Sequence, residues 1–174
     1  MSDTPRVYIA SLSDYNAGRL HGKWFDVTDF ADGDDLYAAV KEQVLDTSPE
    51  PIAEEWAIHD YEGFGDYRIS EYESFDAVVD LANAIEEHGP QFIAYIAHVG
   101  GLEYAENFEE AYCGQWDSEQ DYAEELVDDL GYLADQDFLA TYFDYEKFTR
   151  DLFMSDYFSV DAGLGNGVYV FRHV

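Results

Sequence analysis

The residues best suited to chemistry in this sequence form one cluster, His59-Asp60-Tyr61-Glu62. A histidine beside carboxylates can act as a general base. The same four residues also fit a strand end at which the histidine is hydrogen-bonded and carries out no reaction. Because the chain has 39 Asp and Glu, acid pairs of the kind that glycosidases use arise by chance. We therefore favour the structural interpretation and expect no catalytic residue.

Two other patterns resemble ligand-binding loops, and each lacks a required feature. The segment from Asp117 to Asp128 has acids at four EF-hand positions, but its sixth residue is Tyr122 where the loop needs Gly. The GxGxG run from Gly163 to Gly167 precedes a strand, whereas a phosphate-binding loop precedes a helix. Cys113 is the only cysteine, which excludes an internal disulfide and a cysteine-based zinc site. We expect no metal site and no cofactor.

The charge of the chain is its most unusual property. Only 8 Lys and Arg oppose the 39 acids, which gives a formal net charge of −31. Solubility alone needs a net charge of roughly 2–8 in magnitude, and self-repulsion opposes the compact state. The sign excludes nucleic acid and anionic membranes as partners. It indicates a basic protein surface, bound cations or a very salty cytoplasm.

The acids are concentrated in a long block without cations. The 78 residues between Arg68 and Lys147 contain 21 Asp or Glu and no Lys or Arg. Within this block, Ser118 is a candidate N-cap for a helix whose apolar stripe we expect to comprise Tyr122, Leu126, Leu130 and Leu133. The other face of that helix is acidic. Like charges four residues apart destabilise a helix, so stability alone does not favour this arrangement.

The strands and helices predicted from the sequence indicate an α+β fold. Alternation over residues 6–12 and the run HGKWFDV predict an opening hairpin, and a second hairpin encloses DAGLGNG. Helical spacing predicts a helix capped by Ser74, a second at QFIAYIAHV, and further helices at FLATYF and DYEKFTRDLF. We expect an elongated chain of about three small domains with short antiparallel hairpins and acidic helices. The predicted domains are an N-terminal α+β domain (1–73), a small helical domain (74–109) and a C-terminal acidic α+β domain (110–174).

Aromatic content and hydropathy exclude two further classes of protein. The 15 Tyr, 12 Phe and 3 Trp distinguish the chain from a disordered acidic tail, because disorder at high charge goes with few aromatics. The longest apolar stretch, Phe92 to Val99, is far shorter than the ~20 residues that a membrane span needs. We therefore expect a folded, cytoplasmic protein without a membrane partner.

Three motifs follow one another in the N-terminal third of the chain. They are VYIASLSDYNAGRLHGKWFDV from Val7 to Val27, EEWAIHDYEGF from Glu54 to Phe64, and ISEYESF from Ile69 to Phe75. In this order they resemble ArdA-type antirestriction proteins, whose pattern is a VYIA strand, a Tyr-Asn turn with Gly, then Gly and Trp-Phe. The chain departs from that pattern in a longer Asp-rich and Pro-containing segment between the first two motifs.

The resemblance implies an elongated three-domain α+β protein that dimerises, mimics bent B-form DNA and inhibits type I restriction-modification enzymes. It also implies carriage on a plasmid, transposon or phage. The partner would be the DNA-binding groove of the enzyme's specificity and methyltransferase subunits. The acids that we expect to mimic phosphates are Glu103, Glu106, Glu109, Glu110, Asp117, Glu119, Asp121, Glu124, Glu125, Asp128, Asp129 and Asp135.

A dimer seam between two bodies of this charge should be apolar and poor in acids. The least acidic apolar stretch of the cation-free block runs from Gln91 to Leu102. Its candidate seam residues are Phe92, Tyr95, Ile96 and Val99. The alternative for this stretch is a buried helix. For the whole chain, the alternative is a halophile-adapted acidic globular protein, or a hydrolase, of unrelated activity.

Overall fold

The computed structural model describes residues 4–174, apart from the side chain of Asp137. Contacts between residues divide the chain into two compact units, one that ends at Ala97 and one that begins at His98. Each unit combines a three-stranded antiparallel sheet with helices, so the predicted α+β class is confirmed. The elongated three-domain organisation stays a prediction, and the first three residues of its N-terminal domain lie outside the described residues.

The sheet of the N-terminal unit comprises β1 (Arg6–Ser11), β2 (Gly22–Asp26) and β3 (Trp56–Glu62), in the order β2-β1-β3. Both pairings are antiparallel, so the predicted opening hairpin is confirmed. A short helix, α1 (Leu12–Asn16), connects the two strands of the hairpin. Alternation explains the orientation of β1, because Val7 and Ile9 are fully buried against the core.

Helical elements follow β2 and β3 along the chain. The helix α2 (Gly33–Val40) continues into a π-helical turn (Lys41–Leu45), and a 3-10 turn (Val27–Asp29) follows β2. The pair α3 (Phe75–His88) and α4 (Pro90–Val99) comes after β3. Ser74 caps α3 as predicted, because its side chain accepts a hydrogen bond from the Ala77 backbone N–H at 3.2 Å.

The sheet of the C-terminal unit comprises β4 (Tyr112–Trp116), β5 (Tyr157–Asp161) and β6 (Val168–Arg172), in the order β4-β6-β5. The predicted terminal hairpin of β5 and β6 is confirmed. No pattern in the sequence predicts β4. Its register shifts between Tyr112 and Gln115, and Gly114 has φ of 102°, so the strand lacks a clean alternation.

The helices of this unit are α5 (Phe108–Ala111), α6 (Glu119–Asp129), α7 (Asp137–Ala140) and α8 (Tyr145–Ser155), after a 3-10 helix (Leu102–Asn107). The predicted stripe of α6 is partly wrong. The residues that α6 buries are Tyr122, Ala123 and Val127, whereas Leu130 is 53% exposed because the helix ends at Asp129. The helix predicted at FLATYF is confirmed only over its first three residues, Phe138 to Ala140, which lie in α7.

A buried carboxylate, Asp14, connects α1 to the loop before β3. The Ser48 hydroxyl donates to its Oδ2 at 2.5 Å, and Arg19 Nε approaches its Oδ1 at 3.4 Å. The Asp14 backbone N–H donates to the Ser11 hydroxyl oxygen at 3.3 Å, and Arg19 also pairs with Glu50. Burial acts to raise the pKa of Asp14, but hydrogen bonding with Ser48, Ser11 and Arg19 outweighs it and lowers the pKa below its ordinary value.

Replacing Asp14 with Asn should therefore destabilise the protein in a pH-dependent way. Because the folded-state pKa is lowered, the ionised carboxylate stabilises the fold above its unfolded pKa, and this contribution is lost as the pH falls through the folded pKa. Thermal unfolding followed by circular dichroism should show a lower Tm for Asp14→Asn at pH 7 and a smaller difference from wild type near pH 3. Asp29→Asn, at an exposed acid, is the matched control. A Tm difference that stays constant across this pH range would contradict the assignment.

Candidate partner-binding surface

All twelve acids predicted to mimic phosphates lie in the C-terminal unit. Ten of them are exposed, and Glu119 and Glu124 are half-buried. They are held on four successive pieces of backbone: the 3-10 helix before α5, α5 itself, α6 together with Asp117 just before its cap, and the turn that contains Asp135. This unit contains 18 Asp or Glu and only three Lys or Arg.

The helix α6 carries the densest part of this surface. Ser118 caps it by accepting from the Asp121 N–H at 3.1 Å, and the Ser118 hydroxyl donates to Asp121 Oδ2 at 2.5 Å. Tyr122 anchors the opposite face in the core. Burial, together with hydrogen bonding to Tyr157 and Cys113, raises the pKa of Tyr122, so this side chain is neutral.

The exposed face of α6 presents its acids in rows along the helix axis. Asp121, Glu125 and Asp129 are four residues apart, and all three are exposed. Glu124 and Asp128 form a second row beside them. The 11 residues of α6 span ~16 Å at 1.5 Å per residue and include six acids. One strand of duplex DNA carries about five phosphates over that length, at one charge per 3.4 Å.

Almost none of the negative charges on this surface are neutralised by ion pairs. Among the described residues, Glu110 is the one acid of the twelve that forms an ion pair, with Arg172 at 2.7 Å. Three others have polar partners without charge: Asp121 accepts from Ser118 as described above, Glu119 accepts from Ser159 at 2.7 Å, and Glu124 accepts from Gln120 at 2.6 Å. Apart from Glu110, the acids of this surface can therefore meet a cationic partner without first breaking an internal salt bridge.

The cluster around His59 has a different geometry from a general-base site. Glu62 pairs with Arg6 on β1 at 2.5 Å, and Asp60 accepts from the backbone N–H of the next residue, Tyr61, at 2.9 Å. The His59 ring contacts Tyr15 edge-to-face, with 4.8 Å between centroids. In the part of the chain that the structure describes, the buried Nε2 of His59 has no hydrogen-bond partner. The two neighbouring acids therefore do not orient this ring.

The candidate seam residues lie mostly inside the fold. Phe92, Tyr95 and Ile96 are buried, and Val99 is half-buried. This is the arrangement that the buried-helix alternative describes, since side chains without solvent exposure cannot bury further area against a second copy. The position of a dimer seam stays a prediction.

Comparison with known proteins gives a match to a family model. The family model described as antirestriction protein (ArdA) matches residues 7–165 of the 174. The chain belongs to the ArdA antirestriction family. The comparison with curated proteins finds no match to this chain. ArdA proteins form a family of inhibitors and not a known enzyme family, and membership implies an antirestriction function.

The ArdA motifs of the N-terminal third form the scaffold of that unit. The run from Val7 to Val27 builds β1, α1 and β2, and the run from Glu54 to Phe64 contains β3. None of the twelve acids belongs to these motifs. Over residues 4–174, no helix combines the length and the apolar character that crossing a membrane requires.

The stability of α6 should respond in opposite directions to neutral substitutions at its two ends. A helix favours negative charge in its first turn and disfavours it in its last turn, by about 0.3–1 kcal/mol per charge. The last turn of α6 contains Asp129 and no basic residue, whereas Asp121 lies in the first turn and bonds to the cap. Denaturant unfolding should show Asp129→Asn as stabilising and Asp121→Asn as destabilising. The same sign for both variants would be evidence against this account.

Proposed function

We propose that this ArdA protein is a double-stranded DNA mimic that occupies the DNA-binding groove of a type I restriction-modification enzyme and blocks DNA binding competitively. The proposed contacts are with the specificity and methyltransferase subunits, in the cytoplasm, and the protein itself catalyses no reaction. The observation that carries the proposal is the row of exposed and unpaired acids on α6. Family membership supports the choice of enzyme.

The charge of one protomer supports mimicry quantitatively. Duplex DNA carries about one charge per 1.7 Å of its axis, so a net charge of −31 equals that of roughly 50 Å of duplex, or about 15 base pairs. The acid in the last turn of α6, Asp129, and the like charges four residues apart weaken the helix that holds them. A halophile-adapted protein of unrelated activity does not need such rows on one helix, and the family match does not favour it.

A competition assay tests the proposal directly. Added protein should displace a labelled duplex containing the recognition site from the type I enzyme, with an apparent affinity that decreases steeply as salt rises. Fluorescence anisotropy at several salt concentrations measures both quantities. A stable ternary complex of enzyme, duplex and inhibitor would rule out competitive mimicry.

A set of α6 variants then tests which charges contribute. Amide substitutions of increasing number should weaken inhibition progressively, because no single carboxylate is decisive in a binding surface of many charges. The full set comprises Asp121, Glu124, Glu125, Asp128 and Asp129. Asp29→Asn, at an exposed acid of the other unit, is the control. Complete loss of inhibition from one substitution would instead indicate a catalytic or metal-binding residue.

We also propose that the protein functions as a homodimer. One protomer supplies charge for about 15 base pairs, whereas a type I enzyme reads a bipartite site and also contacts flanking DNA, so a two-fold assembly would fill the groove better. Sedimentation equilibrium at moderate salt should give the mass of a dimer at micromolar concentration. A monomer under these conditions would contradict this part of the proposal.

A further inference from the structure

Two aromatic side chains of the acidic C-terminal unit are exposed to solvent. Phe138 on α7 is 73% exposed, and Tyr142, which follows α7, is 72% exposed. Their ring centroids are 5.2 Å apart with an angle of 57° between the planes. Leu139 between them is exposed as well. We call Phe138 and Tyr142 the aromatic pair.

The local backbone explains why the pair faces outward. The N–H of Ala140 donates to Gln136 O at 2.9 Å, and the N–H of Tyr142 donates to Leu139 O at 3.0 Å, so this stretch is a closed helical turn. The next residue, Phe143, is half-buried and packs on Phe148 with 5.5 Å between centroids. Phe143 therefore attaches the segment to the unit, and the aromatic pair is left in solvent.

The charges around the pair determine which partner can cover it. Asp135 precedes it, and Asp144 and Glu146 follow it, all within the cation-free block. The nearest cations along the chain are Lys147 and Arg150 of α8, and Arg150 is paired with Asp151 at 3.2 Å. A second copy would bring the same acids against these, which is unfavourable. A surface rich in Arg and Lys complements both the acids and the ring faces, because aromatic rings attract cations.

The chain itself contains an example of the contact that we envisage. The Arg6 guanidinium lies over the Trp24 ring at 4.8 Å from its centroid, while Arg6 also pairs with Glu62. One guanidinium thus contacts an aromatic face and a carboxylate together. Tyr and Arg are also enriched among the few residues that dominate the affinity of protein interfaces.

We propose that the aromatic pair is an anchor that binds arginine or lysine side chains lining the partner's DNA-binding groove. The inference rests on the proposed function and adds to it a contact that a phosphate backbone does not supply. The acids provide the electrostatic part of the affinity, which salt weakens by screening. The aromatic pair provides apolar and cation–π contact, which releases no counterions and so depends little on salt.

The test compares salt dependence between two variants in the competition assay. Phe138→Ala/Tyr142→Ala should bind the type I enzyme roughly tenfold or more weakly at every salt concentration, as hot-spot residues do, with an unchanged slope of log affinity against log salt. The five-acid variant of α6 should instead show a smaller slope. Tyr142→Phe keeps the ring and should retain most of the affinity.

Matched controls separate this role from a loss of folding. Tyr72→Ala and Ile52→Ala remove side chains that are 63% and 70% exposed in the other unit, and both variants should bind as wild type does. The circular dichroism spectrum and the Tm of the double variant should match wild type, because little buried area is removed.

Three results would overturn the proposed role of the aromatic pair. The first is wild-type affinity in the double variant. The second is a salt slope reduced as in the α6 variant. The third is a dimer that becomes a monomer while enzyme affinity is unchanged, which would assign the pair to contact with a second copy. Failure of the wild-type protein to displace DNA is a separate outcome, and it would overturn the proposed function.

Discussion

Mutual repulsion among carboxylates is the constraint on which the rest of this structure depends. In the C-terminal unit, 18 acids and three Lys or Arg surround a small core that includes Tyr122, Val170 and Phe171. The fold reduces the repulsion by keeping most of these acids in water, where a pair of charges at 4 Å interacts by only about 1 kcal/mol. Aromatic packing offsets what remains, as where Phe171 stacks with Phe158 at 5.1 Å between centroids.

The same repulsion connects stability with recognition. Acids that lack internal partners raise the free energy of the isolated protein, and a basic groove lowers it again by neutralising them. A fold designed for stability alone would place cations between these acids and at the C-terminal end of α6. The structure instead keeps them unpaired, and it limits their cost by distributing them over four pieces of backbone.

The two units differ in how they use their acidic side chains. In the N-terminal unit, the ArdA motifs specify strands and a buried carboxylate, Asp14, which is ionised because Ser48 and Arg19 bond to it. Its role is to hold α1 against a loop. In the C-terminal unit, the candidate contacts are exposed and repetitive, so many sequences can supply an equivalent charge pattern.

Local patterns in the sequence determined much of the fold, and contacts between distant residues decided the rest. Alternation placed β1 and β2, the Ser74 cap placed α3, and the acidic rows of α6 followed from helical periodicity, because each depends only on residues a few positions apart. No local pattern predicts the strand β4, because its register against β6 shifts between Tyr112 and Gln115 and removes a clean alternation. Burial of Ile96, exposure of Leu130 and the outward position of Phe138 were likewise decided by the tertiary structure. Whether an apolar residue is covered depends on which elements pack over it, and no local pattern contains that information.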